Sequence, residues 1–137
     1  MQSAVEIFAA IMFAGIGLSH AAQPMVWVEF FAILHAKGRS GVFVEAYACL
    51  CFGAFIVAFH PIWRGLPAVL TVVGALQIVK GILRLTLPEL GLRVYAQVRA
   101  ERAWTFRVAG VFSMALGALF GYLAQRSWLG PPGVGAN

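Results

Sequence analysis

Residues Gly41 to His60 read GVFVEAYACLCFGAFIVAFH, an unbroken apolar run with one charged side chain, Glu45. A helix of this length rises about 30 Å, which matches the hydrocarbon core of a bilayer. Three further runs have the same character: Ala4–Ala22 (AVEIFAAIMFAGIGLSHAA), Pro67–Leu87 (PAVLTVVGALQIVKGILRLTL) and Phe106–Ala124 (FRVAGVFSMALGALFGYLA). The chain has 137 residues, 61% of them hydrophobic and 11% charged, with no Asp and five Glu. A soluble domain carries about 25% charged residues, and one this small could not bury so much apolar surface. The expectation is an all-α integral membrane protein with four transmembrane helices, and lipid as the partner of most of its surface.

The first run is also weighed as a signal peptide, cut after Ala21. Its leading residues carry Glu6 and no Lys or Arg, the opposite of a signal peptide's basic start. It is read as a span. Cys49 and Cys51 fall two apart within a helix, on different faces, which excludes a disulfide between them.

Two of the connecting segments read as surface helices. PMVWVEFFAILHAKG (Pro24–Gly38) and PELGLRVYAQVRAERAW (Pro88–Trp104) each open on Pro, which suits a first helical turn. Val28, Phe31, Ala32 and His35 follow helical spacing in the first, and Leu92, Tyr95 and Val98 in the second. Both are expected to lie as amphipathic helices in the membrane interface. Each half of the chain then reads span, Pro, surface helix, span. Moving the first half 64 residues along places Gly17 on Gly81, Pro24 on Pro88, Gly53 on Gly117 and Ala54 on Ala118. Two spans return the chain to its starting side, so the halves would be parallel repeats, 4–60 and 67–124. They would form one transmembrane domain over 1–127, with 128–137 (ending GPPGVGAN) as a flexible tail.

The net charge of +5 is distributed by side rather than as a nucleic-acid face, and no nucleic-acid partner is expected. Lys37, Arg39, Arg84, Arg93, Arg99, Arg102 and Arg107 fall on one side, with Lys80 slightly deeper; Arg64 and Arg126 fall on the other. The positive-inside rule puts the surface helices in the cytoplasm and both termini outside.

Ionisable groups within spans are costly and tend to pair or face the bundle interior. Glu45 lies near the cytoplasmic end of the second span, where Lys80, Arg84 and Arg107 could reach it. Such a group is either a structural ion pair or part of a relay. Gln77, mid-span in the third run, needs a partner on a neighbouring helix or a polar seam. Glu6 and His60 sit at the outer ends of the first two spans, and together would form a carboxylate–imidazole pair titrating near neutral pH. Gly74, Gly81, Gly110, Gly117 and Gly121 would let helices approach closely, within one chain or between two copies. The histidines lack HxxxH, HExxH or CxxC spacing, and His20 and His60 fall on opposite sides, whereas a bis-His haem needs two imidazoles at one depth, so no metal or cofactor is expected. There is no nucleophile elbow or P-loop, and no sequence feature here argues for an enzyme.

His60 with Trp63 three residues on, Thr71 and Gly74 in the next span, and then Lys80, Gly81 and Pro88 within KGILRLTLPE form a pattern. Over about residues 15–125 it resembles a family of small, uncharacterised bacterial inner-membrane proteins with four spans. Pro61 stands where that pattern would have a polar residue. The resemblance implies a multi-pass fold in the bacterial cytoplasmic membrane and no particular activity. The reading that follows is a non-enzymatic protein, structural or accessory to a larger membrane complex. The rival is a homo-oligomeric transporter or channel for a small solute, ion or proton, with the polar residues above along its path.

Overall fold

The structure, a computed structural model, describes residues 1–129. The tail expected over 128–137 therefore lies outside the described residues from position 130 onward. Six helices and no strands form among the described residues: α1 (Gln2–Ala22), α2 (Pro24–Ala36), α3 (Arg39–Phe59), α4 (Ala68–Thr86), α5 (Pro88–Tyr95) and α6 (Trp104–Leu129). Four of them, α1, α3, α4 and α6, are long and apolar enough to cross a membrane.

Proline sets three of the helix ends. The residue before a proline is pushed out of the helical region by the ring. Gln23, His60 and Leu87 each precede one, and all three take nearly the same backbone, with φ of −130°, −136° and −127° and ψ of 59°, 61° and 68°. The α2–α3 corner uses Gly38, whose φ of 61° is the left-handed conformation that glycine adopts without strain. A β-carbon on Gly41 would strike the Leu34 carbonyl, so this corner closes tightly.

The long helices pack as two pairs, α1 along α6 and α3 along α4. Glycine allows both contacts. A β-carbon on Gly17 would lie 2.7 Å from the Gly110 carbonyl, and one on Gly53 would lie 2.5 Å from that of Gly74. Gly81 faces Ala46 and Leu50, and Gly117 faces Ala10 and Ala14. Gly121 departs from the expected stripe: a methyl there would meet only Ala10, at an ordinary 3.8 Å, so packing does not require a glycine. Val5, Ala9, Ile56, Leu70, Phe120 and Leu123 form the core at the end of the bundle nearest the α3–α4 connection. A smaller core of Leu34, Val42 and Tyr95 lies at the opposite end, under α2 and α5. There the rings of Phe31 and Tyr95 meet at 5.4 Å. Outward-facing apolar side chains remain exposed along each long helix, among them Ile11, Leu76 and Phe112. In water such a surface would aggregate; beside lipid tails it costs nothing.

Two expectations change. The second surface helix does not run from Pro88 to Trp104. It stops at Tyr95, and a 3-10 turn (Ala100–Arg102) precedes α6. Tyr95 is buried against the bundle while Arg99 is extended (φ −136°, ψ 152°). The chain must turn there from the α5 direction into α6, and one continuous helix cannot do both. The last span also extends beyond Ala124, to Leu129.

Candidate functional site

The described structure gathers its polar side chains at the two ends of the bundle. The first cluster lies where α3 gives way to the α4 connection. Pro61 ends α3, and His60 turns inward with no exposed surface. Its Nε2 is 3.3 Å from Oε1 of Glu6, itself buried on the first turns of α1. Its Nδ1 is 3.2 Å from the hydroxyl of Thr71 on α4, also fully buried. Thr71 in turn donates to the His60 carbonyl at 2.6 Å. On the far side of Glu6, Oε2 lies 3.3 Å from the hydroxyl of Ser127 on α6, and that hydroxyl donates to the Ala124 carbonyl at 2.8 Å. Four segments distant in sequence thus meet on one carboxylate–imidazole pair.

Thr71 has one hydroxyl proton and gives it to the His60 carbonyl, so toward Nδ1 it presents a lone pair. Ser127 donates toward both the Ala124 carbonyl and Oε2 of Glu6. His60 Nδ1 must donate to Thr71, so it carries hydrogen. The Nε2–Oε1 contact then needs a proton of its own, shared between imidazole and carboxyl.

A cleft of about 1070 Å³ opens over this cluster. Glu6 lies at its floor; Phe59, Ile62, Leu66 and Leu123 supply apolar wall, and Ser127 and Arg126 supply the polar side. The Arg126 guanidinium sits 5.6 Å from the Tyr122 ring centre and has no carboxylate partner among the described residues.

The second cluster lies at the α2/α5 end. Glu45 on α3 receives Lys80 Nζ at 2.7 Å on Oε1 and Arg84 Nη1 on Oε2. Tyr95 donates its phenol to Oε2 at 3.2 Å, and the Cys49 thiol lies 3.5 Å from Oε1. Lys80 and Arg84 are a turn apart on α4, so both reach one acid. Arg84 also sits over the Tyr95 ring, 5.6 Å from its centre. Burial raises the Tyr95 phenol above its usual range, and the neighbouring Glu45 carboxylate raises it further. Arg107, expected in this group, is exposed on α6 and takes no part. It stands on the helix paired with α1, not on the α3–α4 pair that holds Glu45.

Gln77 lies between the clusters. Its Oε1 is buried and has no hydrogen-bond partner among the described residues, so the expected contact with a neighbouring helix does not form. His20 bonds to the Ile16 carbonyl and stacks on Trp27 with ring centres 3.8 Å apart. No group of three metal-ligating side chains forms among the described residues.

Thr71, Ser127 and Tyr95 complete these clusters. Thr71 belongs to the pattern that begins at His60, but no contact between the two follows from it. Ser127 is a common residue lying far along the chain from Glu6, and nothing in the sequence marks it. The apolar stripe containing Tyr95 pointed to its burial but not to Glu45. Compared with known protein families, curated proteins and solved structures, the chain matches none.

Proposed function

We propose that this chain is a non-enzymatic, four-span protein of the bacterial cytoplasmic membrane that serves as a structural or accessory subunit of a larger membrane complex. The observation that carries this reading is the close packing within each helix pair. Between the two polar clusters, the helix pairs meet at glycine-to-backbone distance (Gly17 on Gly110, Gly53 on Gly74), which leaves no room for a solute between the paired helices. The cation-rich end, with α2 and α5, faces the cytoplasm in this reading, and both termini face outward.

The two halves are read as parallel repeats because their contacts recur at one offset. Gly17 meets Gly110 and Met114; 64 residues on or back, Gly81 meets Ala46 and Leu50. Gly53 meets Gly74 and Ile78, and by the same offset Gly117 meets Ala10 and Ala14. Phe31 and Tyr95 are equivalent to each other under it, and they touch, as residues beside a two-fold axis do. Each half contributes one helix to each close pair, so neither half packs its spans alone.

The test is gentle solubilisation of native membranes and isolation of the tagged chain, expected to bring a defined partner set in fixed stoichiometry. Recovery of the chain by itself would count against the reading. A second reading, a homo-oligomeric carrier, draws support from the unpartnered Gln77 oxygen, about 9 Å along α4 from Thr71 and one turn from Lys80. A second copy or a passing solute would satisfy it.

A further inference from the structure

We propose that Lys80 on α4 is the docking point for a partner's membrane-spanning helix that carries a carboxylate at the same depth. This rests on the accessory-subunit reading above and names the chemistry of the partner. It starts from the charges of the Glu45 cluster. Lys80 and Arg84 bring two positive charges to the single negative charge of Glu45. The other groups around the acid add none: Tyr95 on α5 and Cys49 on α3 each turn a hydrogen toward it. The cluster therefore carries a net charge of +1, and no further carboxylate reaches it among the described residues.

That surplus is open on the Lys80 side. The Glu45 and Arg84 side chains are each 14% exposed, whereas that of Lys80 is 40% exposed. Its neighbours one turn away on α4, Leu76 and Leu83, are exposed as well. Lys80 sits about 9 Å along α4 from the helix end at Thr86. A lysine inside a span usually stretches its stem to bring the ammonium to the headgroups. Here Nζ is held 2.7 Å from Glu45, which lies about 9 Å along α3 from Arg39 and is tied to Arg84 and Tyr95. The ammonium is thus kept at a depth where an uncompensated charge is costly and is met by pairing. A carboxylate on a neighbouring helix satisfies it, and Leu76 and Leu83 give that helix an apolar bed. A second copy of this chain has no such group to offer. The chain has no Asp; Glu29, Glu89 and Glu101 lie outside the four long helices, and Glu6 is buried against His60 at the other end.

The probe is a polyleucine transmembrane peptide with a donor dye and one Asp placed level with Lys80. It is added to the purified full chain, tagged with an acceptor dye, in phosphatidylcholine vesicles, and energy transfer reports association. A companion peptide carries Leu in place of the Asp. The Asp peptide should associate saturably and at least about tenfold more tightly than the Leu peptide. Lys80→Met should erase that difference in a chain that still folds, because Arg84 keeps its pair with Glu45; Lys80→Arg should retain it. Equal association of the two peptides with chain that keeps its helical circular dichroism overturns the proposal. So does a preference that survives Lys80→Met. Vesicles containing phosphatidylglycerol are run alongside. A preference unchanged in them supports a helix as the partner; one that disappears assigns Lys80 to a lipid headgroup and overturns the proposal. A negative result removes this proposal alone, since the accessory-subunit reading is tested separately by the partner set recovered from native membranes.

Discussion

Nε2 of His60 lies 3.3 Å from Oε1 of Glu6, although 54 residues separate them, and both side chains are closed off from solvent. Each is the other's means of being buried. With either one removed, the facing atom of the other, Nε2 of His60 or Oε1 of Glu6, would lose its partner in an apolar core. His60→Ala should therefore destabilise the chain strongly, by roughly 3–5 kcal/mol, because the carboxyl loses its partner and a void opens. Glu6→Gln keeps the shape and a hydrogen-bonding oxygen, and should cost clearly less. Thermal unfolding of the two variants in one detergent gives the comparison, and equal losses would contradict it.

The glycine contacts make a steric prediction. At Gly53 a β-carbon would lie 2.5 Å from a backbone oxygen that cannot move aside. Gly53→Val should cost at least about 1–3 kcal/mol, the usual range for overpacking, and Gly17→Val should behave alike. Gly121→Ala should be neutral or mildly stabilising, since the site has room and Ala favours helix. Apparent melting temperatures by thiol-dye fluorescence rank the three.

Glu45 pairs with two cations at once, one on each carboxylate oxygen. Replacing it with Gln leaves Lys80 and Arg84 facing each other without a counter-charge, with Arg84 mostly buried. The expected loss is roughly 3–5 kcal/mol, as for a broken buried pair. Lys80→Met should be tolerated far better, because Lys80 is half-exposed and Arg84 still pairs with the acid. Chemical unfolding of both variants measures this; greater damage from Lys80→Met would contradict the arrangement.

Tyr95 carries the pH dependence. Its folded phenol is held above its usual value by burial and by Glu45. A group whose folded value is raised contributes stability that is full below the unfolded value, about pH 10 for Tyr, and is lost as pH rises toward the folded value. Alkaline titration of phenolate absorbance should show a late-ionising component from Tyr95, together with loss of structure. In Tyr95→Phe that late component should be missing.

Much of this fold is legible in the chain itself. Spans follow from apolar length, and helix ends follow from Pro24, Pro61 and Pro88, whose rings exclude helical backbone at the residue before. Glu6 with His60, and Glu45 with Lys80 and Arg84, were foreseeable because ionisable groups at one depth in lipid must find each other. What the chain does not spell out is rotation about each helix axis. That rotation decides that Ser127 reaches Glu6, that Arg107 faces away from Glu45, and that Gln77 finds no partner. The end of α5 at Tyr95 was equally hidden, since no Gly or Pro marks it. It follows from the burial of one ring and the turn that the chain must then make.

Proteoliposomes containing the purified chain, loaded with a pH-sensitive dye and challenged with proton gradients and small solutes, separate a structural subunit from a carrier. A structural subunit leaves them as tight as protein-free vesicles. Saturable flux that disappears in Glu6→Gln or Gln77→Leu, with the protein still folded, would contradict that role and establish a pathway through the chain.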